Sequence, residues 1–289
     1  MKSGTSSLYR WLAQQPECAP AGAKEPDFFS RDEVWARGVS WYSTMFDHAP
    51  RDKLVGEAST SYTKPFANSS VSAQRMARLL PDARLILVVR EPIERLRSHY
   101  RHELRRGRER RTLVEAMAMP GNAYVTLSRY HECLLPYIER FPREQICVVR
   151  FEDLFSESAL GWTTVLRHLG LSPRRPPSTA YNVTAEKPAY GRTMLWLWQN
   201  GHYQQLRYRL PRPLRRLGRA VLVRDMSEDD EQLAKSMVDV PAELTATIWR
   251  DIERLEEWLG AAEPLWDRPG ALGASTKQSP GTTASEDSR

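Results

Sequence analysis

The sequence predicts an α/β protein of three layers, a central parallel sheet with helices on both faces. Three observations carry this. Leu85-Ile86-Leu87-Val88-Val89 and Gln145-Ile146-Cys147-Val148-Val149-Arg150-Phe151 are continuous apolar runs of strand length, the pattern of parallel strands covered on both sides. The chain between them reads as helices, giving the strand–helix–strand order of a parallel sheet. At the amino end, a polar loop with one glycine leads into a helix with an apolar face.

That first stretch, Met1-Lys2-Ser3-Gly4-Thr5-Ser6-Ser7-Leu8-Tyr9-Arg10-Trp11-Leu12, is the one the chain is organised around. Lys2 to Ser7 reads as a tight loop, and Ser7 to Leu12 as first helical turns with Leu8, Trp11 and Leu12 on one face. Gly4 permits a sharp turn and close approach of an anion. The free N–H groups of a helix start favour negative charge. With the hydroxyls of Thr5, Ser6 and Ser7 and the Lys2 ammonium, this is the composition of a phosphate cradle. It departs from the Walker pattern, since the lysine precedes the glycine and no earlier glycine exists. An ordinary Ser/Thr-capped helix start has the same local composition.

Residues 13–24 read as a loop, broken by Pro16, Pro20 and Gly22. Lys24 to Phe29 reads as extended, with Glu25 and Asp27 beside Phe28 and Phe29. Residues 31–47, bearing Trp35, Trp41, Tyr42 and Phe46, read as helical or irregular cover over the core. A short buried run follows within Lys53 to Tyr62, then a helix over 68–80 stopped by Pro81. After the Leu85–Val89 strand comes Arg90, and Glu91-Pro92 opens a helix through Arg106, with proline at the favoured early position. Residues 112–119 and 124–141 read as two helices, Glu152-Asp153-Leu154 as a turn, and Trp162 to Leu169 as a helix ended by Gly170. Residues 174–224 alternate proline-rich and arginine-rich pieces around Leu195-Trp196-Leu197-Trp198 and take no assignment. Glu243 to Leu259 is amphipathic, with Leu244, Ile248, Ile252, Leu255 and Leu259 on one face. One domain is expected over 1–266 and a disordered tail over 267–289, where Gly, Ser, Thr and Pro dominate.

A net charge of +6 over 289 residues favours anionic partners, among them nucleotides, sulfated glycans, nucleic acid and anionic lipid. No apolar run approaches the roughly 18 residues of a membrane span, and the start lacks a signal-peptide pattern. Cys18, Cys133 and Cys147 form no C-x-x-C pair, which supports neither a zinc site nor a disulfide framework. A reducing, cytoplasmic setting is expected. No His/Cys/Asp spacing suggests a metal.

Three pieces then fit together: K-S-G-T-S-S-L, K-E-P-x-F-F, and L-I-L-V-V-R-E-P-I-E-R-L-x-S-H-Y. In this order the chain resembles the sulfotransferases that use 3′-phosphoadenosine 5′-phosphosulfate (PAPS), most of all the branch of heparan sulfate sulfotransferases and their bacterial relatives. The resemblance runs from Lys2 to about Leu171 and resumes at the C-terminal helix and Leu265-Trp266. It implies a P-loop-like fold, with Lys2, Ser3, Gly4, Thr5, Ser6 and Ser7 holding the 5′-phosphate and sulfuryl group. Arg90 and Ser98 match the arginine and serine that bind the 3′-phosphate. Glu25 matches the general base of the heparan 3-O-branch, with Asp27 as fallback, and Lys2 would stabilise the leaving phosphate. Phe28 and Phe29 are expected to desolvate Glu25 partly. The implied reaction is in-line sulfuryl transfer to a hydroxyl of a glycan or small-molecule acceptor, with no metal and no nucleic-acid partner. The branch has histidine at Asp27, aspartate at Ser30 and lysine at Ala58, so the acceptor side differs here. It also has an apolar strand ahead of the phosphosulfate loop. Met1 directly precedes Lys2, so the first strand is missing as written, and the expectation is a truncated start with that strand encoded upstream.

Rival readings are a kinase-like phosphotransferase and a non-enzymatic binder of anionic glycan or nucleic acid. The first lacks a Gly-Lys-Ser/Thr loop. The second rests on the run Arg101 to Arg111, where Glu103 and Glu109 favour a solvated helix end. The Pro211- and Pro213-interrupted stretch Leu206 to Arg224 is read as packing on the domain rather than on a membrane surface. Trp35, Trp41, Trp196 and Trp198 could stack on sugars, with core packing expected for at least two.

Overall fold

The computed structural model describes residues 3–177 and 240–268, together with the backbone of 189–190 and 223–224. In chain order the elements are α1 (Thr5–Leu12), β1 (Cys18–Pro20), α2 (Asp32–Trp35), α3 (Gly38–Ser43), β2 (Leu54–Gly56) and α4 (Ser69–Leu79). Then come β3 (Leu85–Val89), α5 (Pro92–Arg105), α6 (Leu113–Ala118), α7 (Ala123–Thr126) and α8 (Tyr130–Ile138). The rest are β4 (Ile146–Arg150), α9 (Phe151–Leu154), α10 (Leu160–Leu169), β5 (Ala189–Tyr190), β6 (Val223–Arg224) and α11 (Ala242–Leu259).

The α/β class is as expected. β1 pairs β2 and β3 pairs β4, both parallel, with Leu85 opposite Ile146 and Val89 opposite Arg150. Side chains alternate across the second pair, as the pleat requires. Leu85, Leu87, Val89, Ile146 and Val148 face one core, built on α4, α5, α8 and α11. Ile86, Val88 and Val149 face another, where Leu8 and Trp11 of α1 meet Trp162, Val165 and Leu166 of α10. Helices therefore cover both faces, giving three layers.

The sheet is not continuous. Between the β1–β2 pair and β3 lies an apolar cavity of about 1080 Å³, lined on one side by Leu54, Val55 and Gly56 and on the other by Leu85 to Val88. This corrects two expectations. The short run within 53–62 is not buried, since Leu54 is 38% and Val55 46% exposed. Leu85, Ile86 and Leu87 are only half-buried. Both strands present an edge to this cavity, where no ladder partner stands among the described residues.

Other boundaries also shift. The loop expected over 13–24 contains β1, continued by bonds from Leu54 N–H to Glu17 O (2.9 Å) and from Ala21 N–H to Gly56 O (2.9 Å). The single helix expected over 124–141 is two helices. Ser128, fully buried in the break, donates to Pro92 O (2.8 Å) and accepts from Arg95 Nε (2.9 Å). Asp251 of α11 then caps α8, accepting from the N–H groups of His131 (2.8 Å) and Glu132 (3.1 Å). Its buried carboxyl titrates above the ordinary carboxylate range because desolvation outweighs these two bonds. α5 begins as expected: Pro92 occupies the first turn, and Glu91 accepts from Ile93 N–H (3.1 Å) and Glu94 N–H (2.5 Å).

Trp35 and Trp41 pack beside the first core, and Cys18, Cys133 and Cys147 are free thiols. No helix of the described residues is long and apolar enough to cross a membrane. Lys2, Trp196, Trp198, most of Leu206 to Arg224 and the tail beyond residue 268 lie outside the described residues.

Candidate active site

The polar loop enters α1 through Gly4, whose φ of 79° lies in the left-handed region. Gly4 O accepts from the N–H groups of Ser7 (2.9 Å) and Leu8 (3.2 Å). The N–H groups of Thr5 and Ser6, in the first turn, have no intrahelical acceptor and are available to an anion. Glycine is required here twice over. A Cβ at Gly4 would stand 2.7 Å from Phe151 Cδ2 and 3.0 Å from Phe155 Cε2. A side chain in this backbone conformation also costs about 1–2 kcal/mol. Gly4→Ala is therefore expected to lower the thermal midpoint by about 2–8 °C, read by thermal unfolding. An unchanged midpoint would show that the loop tolerates a Cβ.

Phe151, directly after β4, joins this loop to the strand end. The Arg90 guanidinium lies 5.1 Å from the centre of the same ring, so one aromatic side chain underlies both Gly4 and Arg90. Tyr130 makes a second link: its hydroxyl donates to Arg90 O (2.8 Å), accepts from Arg90 N–H (3.3 Å) and hydrogen-bonds the Ser3 side chain. Burial pushes this phenol well above its ordinary range, so it stays protonated. Ser3 and Ser7 are both 1% exposed. Ser98 sits buried on α5, two turns beyond the strand end.

Beside Arg90 a smaller hollow of about 460 Å³ is lined by Arg90, Glu91, Glu94, Phe151, Glu152 and Trp266, among others. Its far wall is pinned in place: Trp266 Nε1 donates to Glu152 (3.3 Å), Glu91 N–H donates to the same carboxylate (3.0 Å), and Arg150 reaches Leu265 O. Arg90 pairs with Glu94 at 3.6 Å. That is longer than a hydrogen bond, so the guanidinium fork keeps donors on the side of this hollow.

On the other side of the loop, Thr5, Ser6, Lys24, Glu25, Glu57, Ser59 and Thr60 line the large cavity. Lys24 Nζ donates to Ser6 Oγ (2.9 Å) and lies 3.8 Å from Glu25 Oε1. The segment expected to be extended is not. Glu25 and Asp27 have φ of 52° and 54°, a costly backbone for residues with side chains and a signature of functional segments. Phe28 and Phe29 turn inward, 0% and 1% exposed, and Phe28 stacks on Tyr42 at 4.4 Å. They pack into the core rather than over the Glu25 carboxyl, which remains 41% exposed.

Asp27 is tied up: it accepts from Ser61 Oγ (2.5 Å) and pairs with Arg31 (3.3 Å). Glu57 accepts from Tyr62 (2.5 Å) and Ser59 (3.0 Å). Burial pushes its pKa from 4.5 up to about 7, against the pull of those two bonds and with a push from Asp27. Reading the sequence missed the placement of Lys24 and the burial of Glu57. The signals existed: Lys24 adjoins the candidate base, and Glu57 is the one acid in Leu54 to Tyr62.

A profile of the sulfotransferase domain matches residues 1–185. The chain belongs to the sulfotransferase family. Heparan sulfate glucosamine 3-O-sulfotransferase 5 of Mus musculus is 29% identical over 185 residues, 60% of this chain and 52% of that protein. Membrane-associated sulfotransferase kil1 of Dictyostelium discoideum is 36% identical over 103 residues, 35% of this chain and 21% of that protein. The crystal structure of a sulfotransferase from Alicyclobacillus acidocaldarius superposes with a TM-score of 0.59 at 25% identity, covering 90% of this chain and 92% of that one. This chain spans about half or less of the curated relatives just named. Within its Arg101–Arg111 run, Arg108 forks onto Glu103 (2.5 and 2.6 Å) and Arg111 onto Glu109 (2.8 and 3.0 Å), while the arginines still outnumber the acids. Among the described residues, no group of three or more His, Cys, Asp or Glu is set to hold a metal.

Proposed function

We propose that this protein transfers a sulfuryl group from PAPS to an acceptor hydroxyl, on a carbohydrate or small molecule. The observation that carries the reading is the Phe151 ring beneath both Gly4 and Arg90, which suits one ligand with an anion at each end. When bound, PAPS supplies a sulfuryl group whose S–O bond to the 5′-phosphate breaks as the acceptor oxygen–sulfur bond forms, the bonding pair staying on the phosphate oxygen.

The chain's own groups divide the work. The N–H groups and hydroxyls of Ser3 to Ser7, with Lys2, hold the 5′ end. Arg90 and Ser98 hold the 3′-phosphate, the arginine through charge-assisted bonds. Glu25 takes the acceptor proton, since its carboxylate is accessible and beside the loop. Asp27 serves as the fallback, but its oxygens are already occupied by Ser61 and Arg31. A carbohydrate acceptor is supported by the relatives named for heparan sulfate glucosamine. Asp27, Ser30 and Ala58 depart from that branch and favour a different acceptor from heparan.

The test is nucleotide protection joined to transfer. Adenosine 3′,5′-bisphosphate (PAP) is expected to raise the thermal midpoint of the wild type, ATP with magnesium is not, and Arg90→Ala is expected to lose the protection. Labelled sulfate should then pass from PAPS to at least one member of a panel of sugars and phenols. Protection by ATP with magnesium alone would favour the kinase-like alternative.

A further inference from the structure

We propose that Lys24 is a second catalytic cation, which grips the sulfuryl oxygens of the bound donor and screens them from the Glu25 carboxylate. The inference rests on the PAPS reading above and deepens it. Lys24 Nζ stands between the two groups that must cooperate, 2.9 Å from Ser6 Oγ in the first turn of α1 and 3.8 Å from Glu25 Oε1. All three side chains border the same cavity. An ammonium has three donors. The Ser6 hydroxyl takes one, and the Glu25 contact is longer than a hydrogen bond, so donors remain for a ligand.

Two facts separate this from an ordinary surface ion pair, which contributes little. Lys24 bonds a hydroxyl of the anion-binding loop, not only its neighbouring acid. Glu25 keeps a left-handed backbone of φ 52°, a conformation the surrounding structure must hold against its cost. The chemistry also asks for a cation here. A carboxylate base and an anionic sulfuryl group must approach the same acceptor oxygen, and their repulsion opposes that approach. A positive group fixed between them relieves it and stabilises the charge that develops there. Lys2 is assigned to the leaving phosphate, whereas Lys24 serves the acceptor side.

The proposal separates two nucleotides that differ by the sulfuryl group. Titration calorimetry of wild type, Lys24→Met and Lys24→Arg with PAP and with PAPS provides the readout, beside kcat for transfer. In Lys24→Met, PAP affinity is expected to stay within about twofold of wild type. PAPS affinity and kcat are each expected to fall by about tenfold to a hundredfold, and Lys24→Arg to recover part of both. The half-exposed side chain, 49% accessible, makes a folding failure unexpected, and an unchanged thermal midpoint checks it. Equal loss of PAP and PAPS, or loss of neither, with a wild type that binds PAP, overturns the role of Lys24 alone. A wild type that binds PAP no better than ATP overturns the donor reading and this inference together.

Discussion

Glu25→Gln is expected to lower kcat for sulfuryl transfer by roughly 10²–10⁴ while leaving PAP affinity and thermal midpoint near wild type. Glutamine keeps the length and shape of the side chain but cannot accept the acceptor proton. The native carboxyl is 41% exposed and lies 3.8 Å from Lys24, so little folding energy depends on its charge. The groups proposed to hold the nucleotide, Arg90 and Ser98, do not line the cavity that Glu25 borders, which should keep nucleotide binding separate from the loss of the base. Steady-state transfer assays with labelled sulfate and PAP titrations measure the two effects. A variant with full turnover would remove Glu25 from the mechanism and move attention to Asp27.

The second large effect concerns stability and pH. Glu57 is an acid whose folded pKa is raised from 4.5 to about 7 by burial. Below about pH 4.5 both folded and unfolded states are protonated, and the group contributes no penalty. Between about 4.5 and 7 the folded state binds more protons than the unfolded one, so stability falls as pH rises. Above about 7 the penalty is complete, roughly 3 kcal/mol at most. Glu57→Gln, which can still accept from Tyr62, is expected to abolish this decline and to be the more stable protein at pH 8. Chemical denaturation of both proteins from pH 4 to 8 measures it. Parallel curves for the two would show that Glu57 ionises freely in the folded protein.

How much of this was legible in the sequence follows from what each element depends on. β3 and β4 announce themselves, because strands covered on both faces need uninterrupted apolar runs. α5 and α11 were equally plain, the first from Pro92 after a capping acid and the second from its long apolar stripe. β1 was missed because three residues ending in Pro20 carry no periodicity. The break between α7 and α8 was missed because Asp251, which caps α8, lies 120 positions from His131. Exposure of Leu54 and Val55 depends on what stands beside β2, and composition says nothing of that. At the site, Gly4 and its hydroxyl neighbours were readable as a tight turn into a helix. The left-handed backbone at Glu25 and Asp27 was not, since neither residue type demands it. Phe151 was read as the end of a strand, and its place under both Gly4 and Arg90 emerged only in three dimensions.

That shared ring sets a gauge. Gly4 is held against one edge of Phe151 and the Arg90 guanidinium against its face, so the span between Gly4 and Arg90 is fixed by a stiff aromatic body rather than by loop slack. A ligand with charges spaced otherwise can satisfy one grip only by forfeiting the other. On the PAPS reading proposed above, selectivity for length would be built into the floor of the site, and a change at residue 151 would blur it without touching any charged group.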